Sequence, residues 1–209
     1  MVTPPLEPLL PAIAVLDYVG IAVFAISGAL LAAEKKLTLV TFLFFAVVTG
    51  VGGGTVRDVL IGAPVFWMHE NWILLICLAA GMLVWVTPRR WWGGGLALAW
   101  FDAVGLAVYS TYGAAKGLAF GAAPLPAFGM GVITACVGGI LRDVLAGEPS
   151  ILLRPELYVT AGALASGLMV LLTVLGVPEV PAGAIAALSG FALRAAAIAR
   201  GWALPAYRR

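Results

Sequence analysis

"GVGGGTVRDVLIG", residues 50–62, sets three consecutive glycines and an Arg-Asp pair inside a run that otherwise has the composition of a membrane helix. "ACVGGILRDVLAG", residues 135–147, repeats the arrangement 85 positions later. Aligned without a gap, the two put Gly53 on Gly138, Gly54 on Gly139, Arg57 on Arg142, Asp58 on Asp143, Gly62 on Gly147 and Pro64 on Pro149. The same offset carries Asp17 onto Asp102, Gly20 onto Gly105, Gly28 onto Gly113 and Thr49 onto Thr134. The chain is a tandem duplication, and the contents of one copy decide the fold.

Of the 209 residues 63% are hydrophobic and 11% charged, too apolar a balance for a soluble domain to cover with polar surface. About 20 apolar residues cross the hydrocarbon core of a bilayer. Seven stretches qualify, at roughly 12–33, 38–60, 70–87, 97–118, 124–146, 157–177 and 181–199. None alternates like a barrel strand, so the expected fold is an all-α membrane protein. It forms a single transmembrane domain over 1–209, with repeat one at about 12–87, repeat two at about 97–177 and helix seven at about 181–199. Three spans per copy is an odd number, which forces the second copy into the bilayer upside down as an inverted repeat.

Cations in short loops set the orientation. Lys35, Lys36, Arg89, Arg90, Arg154, Arg200, Arg208 and Arg209 fall on one side and Lys116 on the other. This predicts a multi-pass protein of the cell inner membrane with its N-terminus outside and its C-terminus cytoplasmic. Lys116 and Arg194 read as residues that snorkel to the nearest interface. A formal charge of +2, with the basic residues at helix ends, speaks against a nucleic-acid partner. Cys77 and Cys136 lack ligand-like spacing, so neither a metal nor a cofactor is expected. The sequence has no nucleophile motif or phosphate loop to suggest an enzyme.

Glycines inside a helix each cost about 1 kcal/mol relative to alanine. Gly52, Gly53 and Gly54, with Gly138 and Gly139, are therefore expected to kink or break spans two and five and to turn carbonyls toward a wet cavity. The alternative is that they only let another helix approach closely. Asp17, Arg57 and Asp58 are expected to meet near the outer end, and Asp102, Arg142 and Asp143 near the inner one. Two carboxylates to one guanidinium leave each mouth about one charge negative, which favours cations; an interhelical clamp is the competing reading. Ser27, Thr49, Tyr109, Ser110, Thr111, Tyr112 and Thr134 could line a narrow path between the mouths, or bond back to their own helices.

With "GGGTVRDVLIG" and "VGGILRDVLAG" in helices two and five of an inverted three-plus-three-plus-one arrangement, the chain resembles the prokaryotic branch of the TRIC (trimeric intracellular cation) channel family. The resemblance implies a homotrimer embedded in membrane lipid, each protomer with its own pore for potassium and sodium ions and bent at the glycines of helices two and five. Val137 stands where the first of three glycines would be in the second copy. The Lys-Glu-Val tripeptide that animal members carry in helix four, associated with phosphoinositide, has no counterpart, so that regulation is not implied. The rival reading is a secondary transporter of a small amino acid such as glycine, suggested by the inverted repeat and the interrupted helices.

Overall fold

Residues 11–92 and 95–205 of this computed structural model are described. They form seven α-helices: α1 Pro11–Glu34, α2 Leu39–Leu60, α3 Asn71–Val86, α4 Gly95–Ala119, α5 Pro124–Leu145, α6 Val159–Val174 and α7 Glu179–Arg200. Arg208, Arg209 and the side chain of Arg89, used above to orient the chain, lie outside the described residues.

Local chemistry fixes the helix ends. Thr38 caps α2, its hydroxyl accepting the Thr41 N–H at 3.4 Å, and Pro124 opens α5 where a missing N–H does no harm. Gly62 and Gly147 follow α2 and α5 with φ of 67° and 68°, the left-handed turn that ends a helix. Both α3 and α6 have 16 residues and are shorter than the spans expected. The first stops ahead of Pro88, which disfavours helical backbone before it, and the second ends at the left-handed Gly176. The helices long and apolar enough to cross a membrane by length and composition alone are α1, α2, α5 and α7.

The duplication is visible as reciprocal contacts. A Cβ on Gly53 would overlap the Thr134 carbonyl oxygen, and one on Gly138 would lie 2.6 Å from the Thr49 carbonyl oxygen. Gly28 faces Thr49 and the Phe45 carbonyl, as Gly113 faces Thr134 and the Met130 carbonyl. Gly20 lies under the Tyr109 ring and Gly105 under Phe24, and those two rings meet at 5.2 Å. Each relation maps onto its partner by the same 85-residue shift, so a pseudo-two-fold axis runs between α2 and α5 and between α1 and α4. Outside the repeat, α7 packs on α6 and α4. Its Gly190 rests against Ala165, and Phe191 meets Trp100 at 6.3 Å between ring centroids.

The breaks into half-helices expected at Gly52–Gly54 and at Gly138–Gly139 are absent: α2 and α5 each run as one continuous helix of 22 residues. The glycines serve close approach instead. Gly53 and Gly138 let α2 and α5 cross backbone to backbone, and Gly54 makes room for Phe66, whose ring a Cβ would meet at 2.6 Å. Helical hydrogen bonds are kept through the glycines because the packing at the crossing outweighs their poor intrinsic propensity.

Candidate functional site: two Arg-Asp clusters

Asp102 enters one end of the bundle from α4, Arg142 and Asp143 from α5, and Ser27 from α1. Arg142 Nη1 donates to Asp102 Oδ1 at 2.6 Å and to Ser27 Oγ, while its Nε and Nη2 reach Asp143 Oδ1 at 2.9 and 2.8 Å. Ser27 Oγ donates to Asp102 Oδ1 at 2.5 Å, and Asp143 Oδ2 accepts the Ile151 N–H at 3.0 Å. One guanidinium thus ties three helices together. Charge-assisted hydrogen bonds on every side make its burial tolerable.

Arg194 of α7 joins this end. It does not snorkel: it is 2% exposed, donates from Nη2 to Glu156 Oε2 at 2.5 Å, and stacks 5.4 Å from the Tyr158 ring. The small α7 residues let that helix sit close enough for its arginine to point inward. A cavity of about 390 Å³ lies here, with Asp102, Arg142 and Asp143 among its lining and Glu34, Glu156 and Arg194 around them.

Lys35 and Glu148 line the same cavity and form an ion pair between the turn after α1 and the loop after α5. Lys35 holds the Glu148 carboxyl below its ordinary value of 4.5, chiefly through the hydrogen bond and then through its charge. A carboxyl lowered on folding adds stability above its ordinary pKa and loses it as pH falls through the lowered value. This tie should therefore be complete above pH 4.5 and lost below it. In a side-chain NMR titration, Lys35→Gln should move the Glu148 midpoint upward; an unmoved midpoint would contradict the pairing.

The opposite end repeats the plan with different contents. Arg57 Nε donates to Asp58 Oδ1 at 2.7 Å, and Asp58 Oδ2 accepts the Phe66 N–H at 3.1 Å, matching Asp143 and Ile151. Here, however, Lys116 Nζ also reaches Asp58 Oδ1, at 2.9 Å. Arg57 is 0% exposed, and its Nη1 and Nη2 lack hydrogen-bond partners. The Tyr112 and Phe66 rings lie 4.9 and 5.5 Å from the guanidinium and offset part of that cost through their π faces. Asp17 lies among Arg57, Lys116 and Tyr112, with its Oδ1 unpartnered. Among the described residues no ion pair joins it to Arg57.

Two expectations change at this end. Lys116 is 8% exposed and does not snorkel, because it stands one turn beyond Tyr112 on the inward face of α4. Its ammonium lies 5.9 and 5.8 Å from Phe66 and Phe120. With Lys116 present, two acids meet two bases, so this mouth is neutral rather than negative when all are ionised. Leu31 occupies the equivalent position at the other end, where Asp102, Arg142 and Asp143 keep their single excess negative charge. The i, i+4 spacing of Tyr112 and Lys116 was the sequence signal that would have placed the lysine inside.

Between the clusters, Tyr109 donates its hydroxyl to the Gly50 carbonyl at 3.1 Å. Thr49 Oγ1 and Ser110 Oγ are buried without partners. Thr111 and Thr134 bond back to the Ala107 and Met130 carbonyls at 2.9 and 2.6 Å. Ser27 and Tyr112 belong to the two clusters themselves.

Comparison with known proteins returns the same duplication. The family described as "Glycine transporter" matches residues 14–89 and again 99–174, two stretches offset by 85 residues at both ends. A UPF0126 membrane protein of Vibrio cholerae is 39% identical over 152 residues, which is 70% of this chain and 62% of that protein. The UPF0126 inner membrane protein YadS of Escherichia coli K12 is 40% identical over 153 residues, 70% of this chain and 72% of its own length. Among solved structures, a TRIC trimeric intracellular cation channel orthologue from Rhodobacter sphaeroides superposes with a TM-score of 0.84 at 38% identity, covering 91% of this chain and 98% of that one.

Proposed function

The chain belongs to the TRIC family, as it belongs by sequence to the one described as Glycine transporter, and from that membership we propose that it is a cation channel of the inner membrane. It conducts potassium and sodium through a pore within each protomer of a homotrimer, with the Arg142 end facing the cytoplasm. Lys35, Lys36, Arg90 and Arg154 near that end support the orientation. The observation that carries the reading is the cavity lined by Asp102, Arg142 and Asp143, because it brings an acidic excess to a wet surface inside an apolar bundle. Between that cavity and the Arg57 end, the unpartnered hydroxyls of Thr49 and Ser110 and the Tyr109 hydroxyl on the Gly50 carbonyl supply buried polar groups that support a path through the protomer.

Purified protein in a planar bilayer under a potassium chloride gradient should give unitary currents that reverse near the potassium potential. Reversal near the chloride potential, or no unitary current, would overturn the proposal. Asp102→Asn removes the excess charge at the cavity and should shift the reversal potential toward chloride. Asp17→Asn, at the end where Lys116 balances the acids, should shift it less. The glycine-transporter reading, favoured by the description of the matched family, predicts saturable glycine counterflow in liposomes, which an open pore does not support.

A further inference from the structure

The two copies make the same turn after their first helices, but not with the same residue. Lys36 N–H bonds the Ala33 carbonyl at 3.2 Å and Leu37 N–H the Ala32 carbonyl at 3.1 Å. Eighty-five residues on, Gly121 bonds Leu118 at 2.9 Å and Ala122 bonds Gly117 at 3.0 Å. Gly121 has φ of 81°, as glycine readily does, whereas Lys36 is forced to 54°. A side chain in left-handed backbone is strained, and such strain persists where the side chain has a use. The second copy acts as an internal control: the turn itself calls for glycine, so the lysine is kept for its ammonium.

Lys36 lines a second pocket of about 390 Å³, which shares Glu34 with the cavity above and whose walls are largely apolar: Leu30, Phe42, Val84, Trp85 and Trp92. Phe42 and Trp85 meet edge to face at 5.0 Å. Trp92 adds a buried indole N–H with no hydrogen-bond partner. Neighbouring Lys35 is committed to Glu148, and among the described residues Lys36 makes no ion pair. Glu34 also lines the pocket, but its Oε1 lies beside Gly95 at the start of α4. A lysine without an ion pair and an apolar wall stand together where α1, α2 and α3 reach the same end of the bundle, the level at which lipid headgroups meet tryptophan and lysine.

We propose that this pocket binds an anionic phospholipid of the inner leaflet, with Lys36 on the phosphate and the first acyl methylenes against Leu30, Phe42, Trp85 and Trp92. A free phosphate would leave the apolar wall without a partner. The leaflet rests on the orientation proposed above, but binding in detergent does not, so the test's outcome is distinct from that of the channel reading.

The experiment is native mass spectrometry and thermal unfolding of the delipidated full-length protein in detergent, titrated with phosphatidylglycerol or phosphatidylcholine. Wild type should retain phosphatidylglycerol preferentially and be stabilised by it. Lys36→Gly should raise the lipid-free melting temperature, because glycine relieves the strained turn, and should weaken phosphatidylglycerol retention about fivefold, the factor expected for one basic residue at an anionic surface. Lys35→Gln should leave it nearly unchanged. Wild-type retention by Lys36→Gly overturns the site. Equal binding of phosphatidylcholine, equal stabilisation by glycerol phosphate, or an equal loss in Lys35→Gln overturns it too. An unraised lipid-free melting temperature in Lys36→Gly would remove the argument from strain.

Discussion

Arg142→Ala should lower stability by about 3–5 kcal/mol, the usual cost of stripping one partner from a buried ion pair, and Arg57→Ala should cost clearly less. Arg142 is the base bonded to both Asp102 and Asp143, and its Nη1 also ties Ser27 of α1. Removing it leaves two carboxylates with no base in contact and cuts the bond between α5 and its two neighbours. At the other end Asp58 keeps Lys116 at 2.9 Å when Arg57 is gone. The alanine there also relieves two guanidinium nitrogens that have no acceptor. Denaturant or thermal unfolding in detergent, with size-exclusion chromatography to follow the folded fraction, compares the two directly. Equal losses would mean that Lys116 does not share the load at the Arg57 end.

Gly53→Ala and Gly138→Ala should each destabilise by about 1–3 kcal/mol, the cost of forcing an extra methyl into a well-packed interior. Helix propensity alone would make both changes favourable. The sign is set by what lies opposite: at each position the new methyl would meet a backbone carbonyl of the other helix, which cannot turn aside as a side-chain tip can. Gly129→Ala, also in α5 but with nothing within 4 Å of its Cβ, is the control and should be neutral or slightly stabilising. Because Gly53 and Gly138 share one crossing, the double variant should cost less than the sum of the two. Unfolding midpoints decide the matter, and a stabilised Gly53→Ala would show that α2 and α5 do not cross there.

Much of this was legible in the amino-acid order. The ungapped repeat gave three helices per copy and their inversion, and the like depth of Asp102, Arg142 and Asp143 gave their meeting, though the same offset did not carry that ion pair to Asp17 and Arg57. The glycines misled because propensity describes an isolated helix, whereas here another backbone fills the space they leave. Lys116 and Arg194 misled for a related reason. Proximity to a helix end says how far a side chain must reach for water, but which way it points depends on the rotation of the helix against its neighbours. The reciprocal seating of Phe66 and Ile151 on Asp58 and Asp143 was out of reach, because backbone N–H donors carry no signature in sequence.

The crossing of α2 over α5 presents the same surface from both sides, glycine to carbonyl and carbonyl to glycine. Two separate half-length polypeptides, one inserted each way across the bilayer, could pair along such a seam with no further adaptation. In a single chain carrying both copies, either half can change alone. A cation at position 116 where the equivalent position 31 holds a leucine is the kind of difference that an unfused, self-pairing ancestor could not have kept on one side only.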